Sequence, residues 1–478
     1  MKIKYREQVA DLGKPAVAVS LAVLLSLALF QPGNAEAGTL EATPKIIINY
    51  SVNDNIYAND PDELAPGDDL VTAGYIDYLL GLSLKYQERR HVFQVNGSAG
   101  YEQFVSIDGW VEDAENDSPS DYDFVAIRAS ALYQYMRKDF IFDIHDTISQ
   151  SRDLQAVFGE ATDALGYWAL YVNNVLGTSI KFSPTSRLKY LVRYDYSTLI
   201  FFEPENDIPE PAGSYEHRGY IRSEYSVTSR ITGLMDLQGA SHVFEDIDND
   251  LVLGTQTKAA DYSLIQGMLG LRYSFNSTTY IEALGGYTQQ TFDNLSEVLV
   301  PVPGPYLGTP AFDVEDNSST VVVISFVVKS EKRYTFTVNG TQGISTYGQN
   351  LFFNYLSANT SLTYHLTPKI SARLGAQYQQ STYDLEDNCR EWVWDDDRVD
   401  NTTYATANLN WDILKKRDQG TLALSVGYSY QNRDSSIDSI DDYEPNYAAV
   451  STNINSFDAV SNVYYIKLQM LPTILLGD

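Results

Sequence analysis

The chain has 478 residues, a single cysteine and a formal net charge of −30. One cysteine, Cys389, excludes a disulfide framework, a paired-cysteine redox centre and a thiolate metal cluster. The acidic balance excludes nucleic-acid partners, whose phosphates need a basic face.

Residues 1–37 have the layout of a secretory signal. Lys2, Lys4, Arg6 and Lys14 form a basic start, Ala16 to Phe30 an apolar stretch, and Ala35-Glu36-Ala37 a small-x-small cleavage site. Four bases and three acids leave with it, so the mature chain, 38–478, is expected to carry −31.

After residue 37 no apolar run is long enough for a transmembrane helix. The recurring pattern is instead period-two alternation, the mark of a half-buried strand. Leu188, Tyr190, Val192, Tyr194 and Tyr196 alternate with Lys189, Leu191, Arg193, Asp195 and Ser197. Tyr334, Phe336 and Val338 alternate with Thr335, Thr337 and Asn339. Leu422, Leu424, Val426 and Tyr428 alternate with Ala423, Ser425, Gly427 and Ser429. The 13% aromatic content, led by 36 tyrosines, suits strands and boundaries between apolar and wet surroundings.

In chain order the pattern predicts eighteen strands: 45–56, 72–86, 91–104, 123–136, 140–151, 166–182, 187–201, 215–227, 231–244, 260–275, 279–292, 319–330, 334–347, 352–366, 370–384, 402–414, 421–433 and 461–471. Their connections alternate in length. One set holds a few residues, such as Ser183 to Ser186 and Thr367 to Lys369. The other set is long and mostly acidic: 57–71, 105–122, 152–165, 202–214, 245–259, 293–318, 385–401 and 434–460, with one short exception near 347–351. The 17 prolines fall in the signal, at strand starts, in turns, in long connections or after the last strand. Together these features predict an all-β fold, a single closed antiparallel up-and-down transmembrane barrel with short periplasmic turns and long extracellular loops. Tyr75, Tyr86, Tyr101, Phe104, Tyr133, Tyr135, Phe140, Trp168, Phe182, Tyr273, Tyr364, Trp411 and Tyr464 are expected to form two interfacial girdles.

The opening strand, Tyr50-Ser-Val-Asn53-Asp54-Asn55-Ile56-Tyr57, and the following strand end 81–87 resemble the start of a group of outer-membrane β-barrel porins that includes barrels of exopolysaccharide systems. That resemblance implies an integral outer-membrane location and passage of a hydrophilic solute or a polysaccharide. Outer-membrane lipid, lipopolysaccharide and the barrel assembly machinery would then be partners. The chain departs from many barrels in ending Pro472 to Asp478 without a terminal aromatic residue, so Val463 to Met470 is expected to serve as the closing strand.

A barrel of this size is too wide to be filled by its own side chains, so an aqueous lumen is expected. With the apolar parity facing lipid, the lumen receives Lys85, Glu102, Arg128, Asp143, His145, Lys181, Lys189, Arg193, Asp195, Arg222, Glu224, Asp236, Arg272, Glu282, Arg373, Asp412 and Lys467, nine bases and seven acids besides the histidine. The bases Arg128, Lys181, Lys189, Arg193, Arg222 and Arg272 fall on strands four to ten, where they either pair with neighbouring acids or set up a transverse field across the pore.

The excess acid lies in the long connections, and loosely held divalent cations are the only cofactors this suggests. Asp246, Asp248 and Asp250 have the alternation of a calcium loop, but Leu251 replaces its glycine and Thr257 its bidentate glutamate. Connection 293–318 differs from the rest in being apolar and proline-rich. Its core, with Val300, Pro301, Pro303, Pro305 and Tyr306, is a candidate constriction.

Enzyme signatures are absent. The five histidines fall on separate strands or strand ends, with His145 and His242 the two that merit inspection for a folded catalytic cluster. The function classes that remain are a diffusion channel, an envelope component coupled to exopolysaccharide export, and a non-conducting scaffold or adhesin barrel.

Overall fold

The computed structural model describes residues 38–54, 72–108, 124–151, 171–201, 213–244, 261–292, 317–330, 333–347, 351–383, 398–416, 420–436, 459–472 and 474–476. The signal segment 1–37 lies outside them. Every regular element among these residues is a strand: β1 Thr39–Asn53, β2 Thr72–Glu88, β3 His91–Asp108, β4 Phe124–Arg137, β5 Phe140–Ser151, β6 Tyr171–Phe182, β7 Leu188–Phe201, β8 Ser214–Ser226, β9 Ile231–Phe244, β10 Tyr262–Ser274, β11 Thr279–Phe292, β12 Asn317–Lys329, β13 Tyr334–Tyr347, β14 Leu351–His365, β15 Ile370–Tyr383, β16 Arg398–Lys416, β17 Gly420–Ser435, β18 Ala459–Leu471 and β19 Ile474–Leu476.

From β1 to β18 each strand pairs antiparallel with the next, and β1 pairs with β18 and β19, so the sheet closes on itself. Because β18 and β19 are two halves of one stave, this is an eighteen-strand barrel. Closure leaves no edge N–H or C=O unpaired, which is what allows strands to cross hydrocarbon.

Four of the short turns share one device. The backbone N–H groups of Leu188, Ile231 and Ile370 donate to the hydroxyls of Thr185, Thr228 and Thr367, at 3.1, 3.0 and 2.9 Å, and Thr278 N–H donates to Asn276 Oδ1 at 2.8 Å. Such side chains reverse a chain in few residues because they replace a backbone acceptor.

The seam between first and last strands corrects two sequence expectations. β1 starts at Thr39 rather than 45, which places Pro44 inside a strand. Pairing with the closing stave runs from Asn53↔Val463 to Ile46↔Met470 and resumes at Ala42↔Ile474 in the same register. That register sets Pro44 directly opposite Pro472. Neither has an N–H to give, so the ladder skips this position on both sides instead of breaking one strand's pairing. Chain beyond Pro472 therefore still belongs to the wall. A smaller difference is an earlier start of β16, at Arg398, while 166–170, expected to open β6, lie outside the described residues.

Residues paired across a ladder share a face, so register assigns two faces around the whole barrel. On one lie Leu80, Leu176, Ile265, Leu269, Leu271, Leu356, Leu374 and Ile466, all exposed. More than two residues from a strand end, the described part of that face carries no lysine or arginine and one carboxylate, Asp146. Aromatic residues crowd its short-turn end, where Phe93 lies 6.4 Å from Tyr86 and 4.7 Å from Tyr133, and Phe182 stacks on Tyr190 at 4.9 Å. Two expected girdle members do not belong there. Tyr75 and Phe104 share register with Ser51, on the other face, and pack together at 5.7 Å. Trp168 lies outside the described residues.

Candidate functional site

The second face is polar, and a salt-bridge cluster on it identifies the concave side. Arg222 on β8 reaches Glu282 on β11, Nη2 to Oε1 at 2.7 Å, across two intervening strands. Strands that far apart are separated by about 14 Å in a flat sheet, so their side chains converge where the sheet curves inward.

That cluster is dense. Arg222 also contacts Asp236 at 3.3 Å and Glu224 at 3.2 Å. Arg272 contacts Glu282 at 2.6 Å and Glu224 at 3.1 Å, and its guanidinium sits 5.3 Å from the centre of the Tyr280 ring. Two arginines thus face three carboxylates, which leaves the group one formal negative charge. Leu234, Met268, Leu284 and Val321 form a buried apolar patch on the same face beside them. Such pairing holds long side chains against the wall in defined directions.

A second cluster crosses β5 to β7. Arg193 Nε contacts Asp195 Oδ2 at 2.6 Å, and His145 Nε2 lies 3.3 Å from Asp195 Oδ1 across β6. Gly177 is the intervening residue, and a Cβ there would collide with both Asp195 and His145. A side chain at 177 would close the gap through which the pair meets. Ser179 donates to Asp143 at 2.7 Å, which fixes the remaining carboxylate of this group. Nearer the other end, Arg218 contacts Glu216 at 2.8 Å, Glu216 lies 3.4 Å from His242, and His242 stacks on Tyr262 at 4.9 Å. Neither His145 nor His242 has a hydroxyl at hydrogen-bond distance among the described residues.

The eleven residues proposed from sequence as pore-lining separate into two groups. Arg193, Asp195, Arg222, Glu224, Asp236, Arg272 and Glu282 are drawn into the clusters above. Arg128, Lys181, Lys189 and Arg373 have no acidic partner among the described residues. Register puts all eleven on the concave face. Of the two sequence alternatives for the bases, pairing accounts for Arg193, Arg222 and Arg272.

Glu216 and Arg218 are not among the residues expected from sequence, although their alternation with Tyr215 and His217 carries the parity signal. Nor are the uncharged polar side chains that lie among Arg373, Asp412 and Lys467 on β12 to β18. There Ser325 donates to Asn339 at 2.6 Å, Asn339 to Asn359 at 3.0 Å, and Ser425 to Asn410 at 2.8 Å. Tyr465 lies flat over Gly427, where a Cβ would strike its ring, and accepts a hydrogen bond from Asn408. The constriction candidates Val300, Pro301, Pro303, Pro305 and Tyr306 and the calcium candidates Asp246, Asp248 and Asp250 lie outside the described residues.

No family model matches the sequence, and no curated protein matches it. Among solved structures the chain is similar to Acinetobacter baumannii OccAB4, with 13% identity, a TM-score of 0.41, and coverage of 93% of this chain and 100% of that one. It is similar also to OccAB2 of the same organism, with 12% identity, a TM-score of 0.43, and coverage of 94% and 100%. Pseudomonas aeruginosa OpdK, determined with vanillate, gives 9% identity, a TM-score of 0.43, and coverage of 91% and 99%.

Proposed function

We propose that the chain is an integral outer-membrane channel that passes hydrophilic solutes. The observation that carries this is the two-sided wall: a closed eighteen-strand barrel whose outward face is mainly apolar and whose concave face carries nearly all the charged side chains of the strands. Eighteen strands enclose more space than inward side chains fill, so water and small solutes have a path. In this reading 1–37 is removed on export and 38–478 forms the barrel. The acidic long connections lie beside lipopolysaccharide, and the assembly machinery engages the closing stave. The wall's chemistry is that of passage rather than catalysis.

A second, narrower reading couples the barrel to exopolysaccharide export. It rests on the opening motif Tyr50 to Ile56 and would be supported by co-purification with a polysaccharide-export component. For the main reading, vesicles carrying the refolded barrel should swell in isotonic monosaccharide. Vesicles that stay as tight as protein-free ones, with a folded barrel inserted, would overturn it.

A further inference from the structure

Register discloses a feature that no local stretch of sequence carries. Ser325, Asn339, Asn359, Gln377, Tyr404 and Gln431 occur on six consecutive strands, β12 to β17, and each is the direct cross-strand partner of the next. They form one uncharged row on the concave face, with a hydrogen-bonding side chain about every 4.8 Å over a length of about 24 Å. Across β13 to β16, the rows on either side hold only serine, threonine, glycine and glutamine. At its near end the row runs into Glu282 and Arg272 of the ion cluster.

The row also climbs. Ser325 stands four residues from the short-turn end of β12 and Gln431 four residues from the long-connection end of β17. A solute following the row therefore moves along the barrel as well as around it.

Its valences are only partly used. Ser325 and Asn339 spend theirs on the next residue. Asn359 Nδ2, both ends of the Gln377 and Gln431 amides, and the Tyr404 hydroxyl have no side-chain hydrogen bond among the described residues, and Tyr404 is 39% exposed. Amides donate and accept at one site, as a sugar hydroxyl does, while a tyrosine ring offers a face to the C–H side of a pyranose. Between Asn339 and Tyr404 neither this row nor the two beside it holds a charge to pair with an ionic solute.

We propose that this row is a binding track for a neutral oligosaccharide, with Asn359, Gln377, Tyr404 and Gln431 as its open positions. The inference deepens the channel reading and rests on it. The probes are maltohexaose, a polyethylene glycol of equal hydrodynamic size, and a hexamer of galacturonate. In planar bilayers maltohexaose should interrupt the current with resolved dwell times, while the other two should not. Calorimetric titration of the detergent-folded barrel with maltohexaose reads the track without conductance.

The double variant Asn359→Leu/Gln377→Leu should bind maltohexaose about tenfold more weakly. Leu409→Ala, on the outward face of β16, should leave binding unchanged. Should the double variant fail to fold, Tyr404→Ala takes its place with the same expectation. Conductance with equal block by all three probes, or binding untouched by these variants, overturns the track and leaves the channel reading standing. Heat on titration without any conductance overturns the channel reading and keeps the track.

Discussion

Around Arg222 and Arg272 the charged inward side chains pair with one another, whereas along the row from Asn359 to Gln431 several amide and hydroxyl groups have no side-chain partner among the described residues. Arg222 and Arg272, 20% and 24% exposed, each meet at least two carboxylates, so that part of the wall is preorganised and nearly saturated. Across the barrel, Gln377, Tyr404 and Gln431 keep their hydrogen-bonding capacity. Both halves have the same period-two alternation and the same ladder. What differs is how many valences remain after the wall has folded. Residue charge alone is therefore a poor guide to which surface engages a solute: the most charged part of this lumen has the least left to offer.

The comparison can be broken at four points, in falling order of expected effect. Largest is a charge on the outward face: Leu269→Arg should cost about 2–4 kcal/mol if that exposed leucine lies in hydrocarbon, measured by urea unfolding from lipid vesicles. Next, Glu282→Leu leaves Arg222 and Arg272 each short of an acceptor. A loss of about 1–3 kcal/mol is expected by the same assay, against about 0.5–1.5 kcal/mol for Ser325→Ala, its row neighbour with a single neutral hydrogen bond.

Third, Gly177→Ala should force His145 and Asp195 apart. The atoms in its way are side-chain ends that can move, so a cost near 1 kcal/mol is expected. Gly285→Ala, whose Cβ would meet nothing, should be silent. Smallest is Gln377→Arg on the concave face of β15, which loses no side-chain hydrogen bond and should change unfolding by less than about 0.5 kcal/mol. A larger cost for Gln377→Arg than for Leu269→Arg would mean that the two faces have been exchanged.

Strands were legible because alternation is local and proline punctuates it. β5, β9, β11 and β13 occupy the predicted residues, and most other ends differ by a few. Three failures have one cause. Pro44 and Pro472 sit inside a wall because they face each other, and Tyr75 and Phe104 leave the girdle because they share register with Ser51. Arg222 finds its partner Glu282 sixty residues away. Each depends on which residues are brought opposite, and nothing local specifies that. The neutral row is the extreme case, since its six members are spread from Ser325 to Gln431 and no short window holds the pattern. Charged positions drew attention in sequence because they are rare. The serines and amides of the neutral wall did not, being common in loops as well.

A channel requires that the wall enclose a water-filled path. Single-channel recording of the detergent-folded barrel in a planar bilayer tests this most directly. Discrete current steps of uniform size are expected, unchanged by Leu409→Ala on the outward face and altered by Gln377→Leu on the inward one. A barrel that inserts, resists heat and denaturant as a folded species, and carries no current would contradict it.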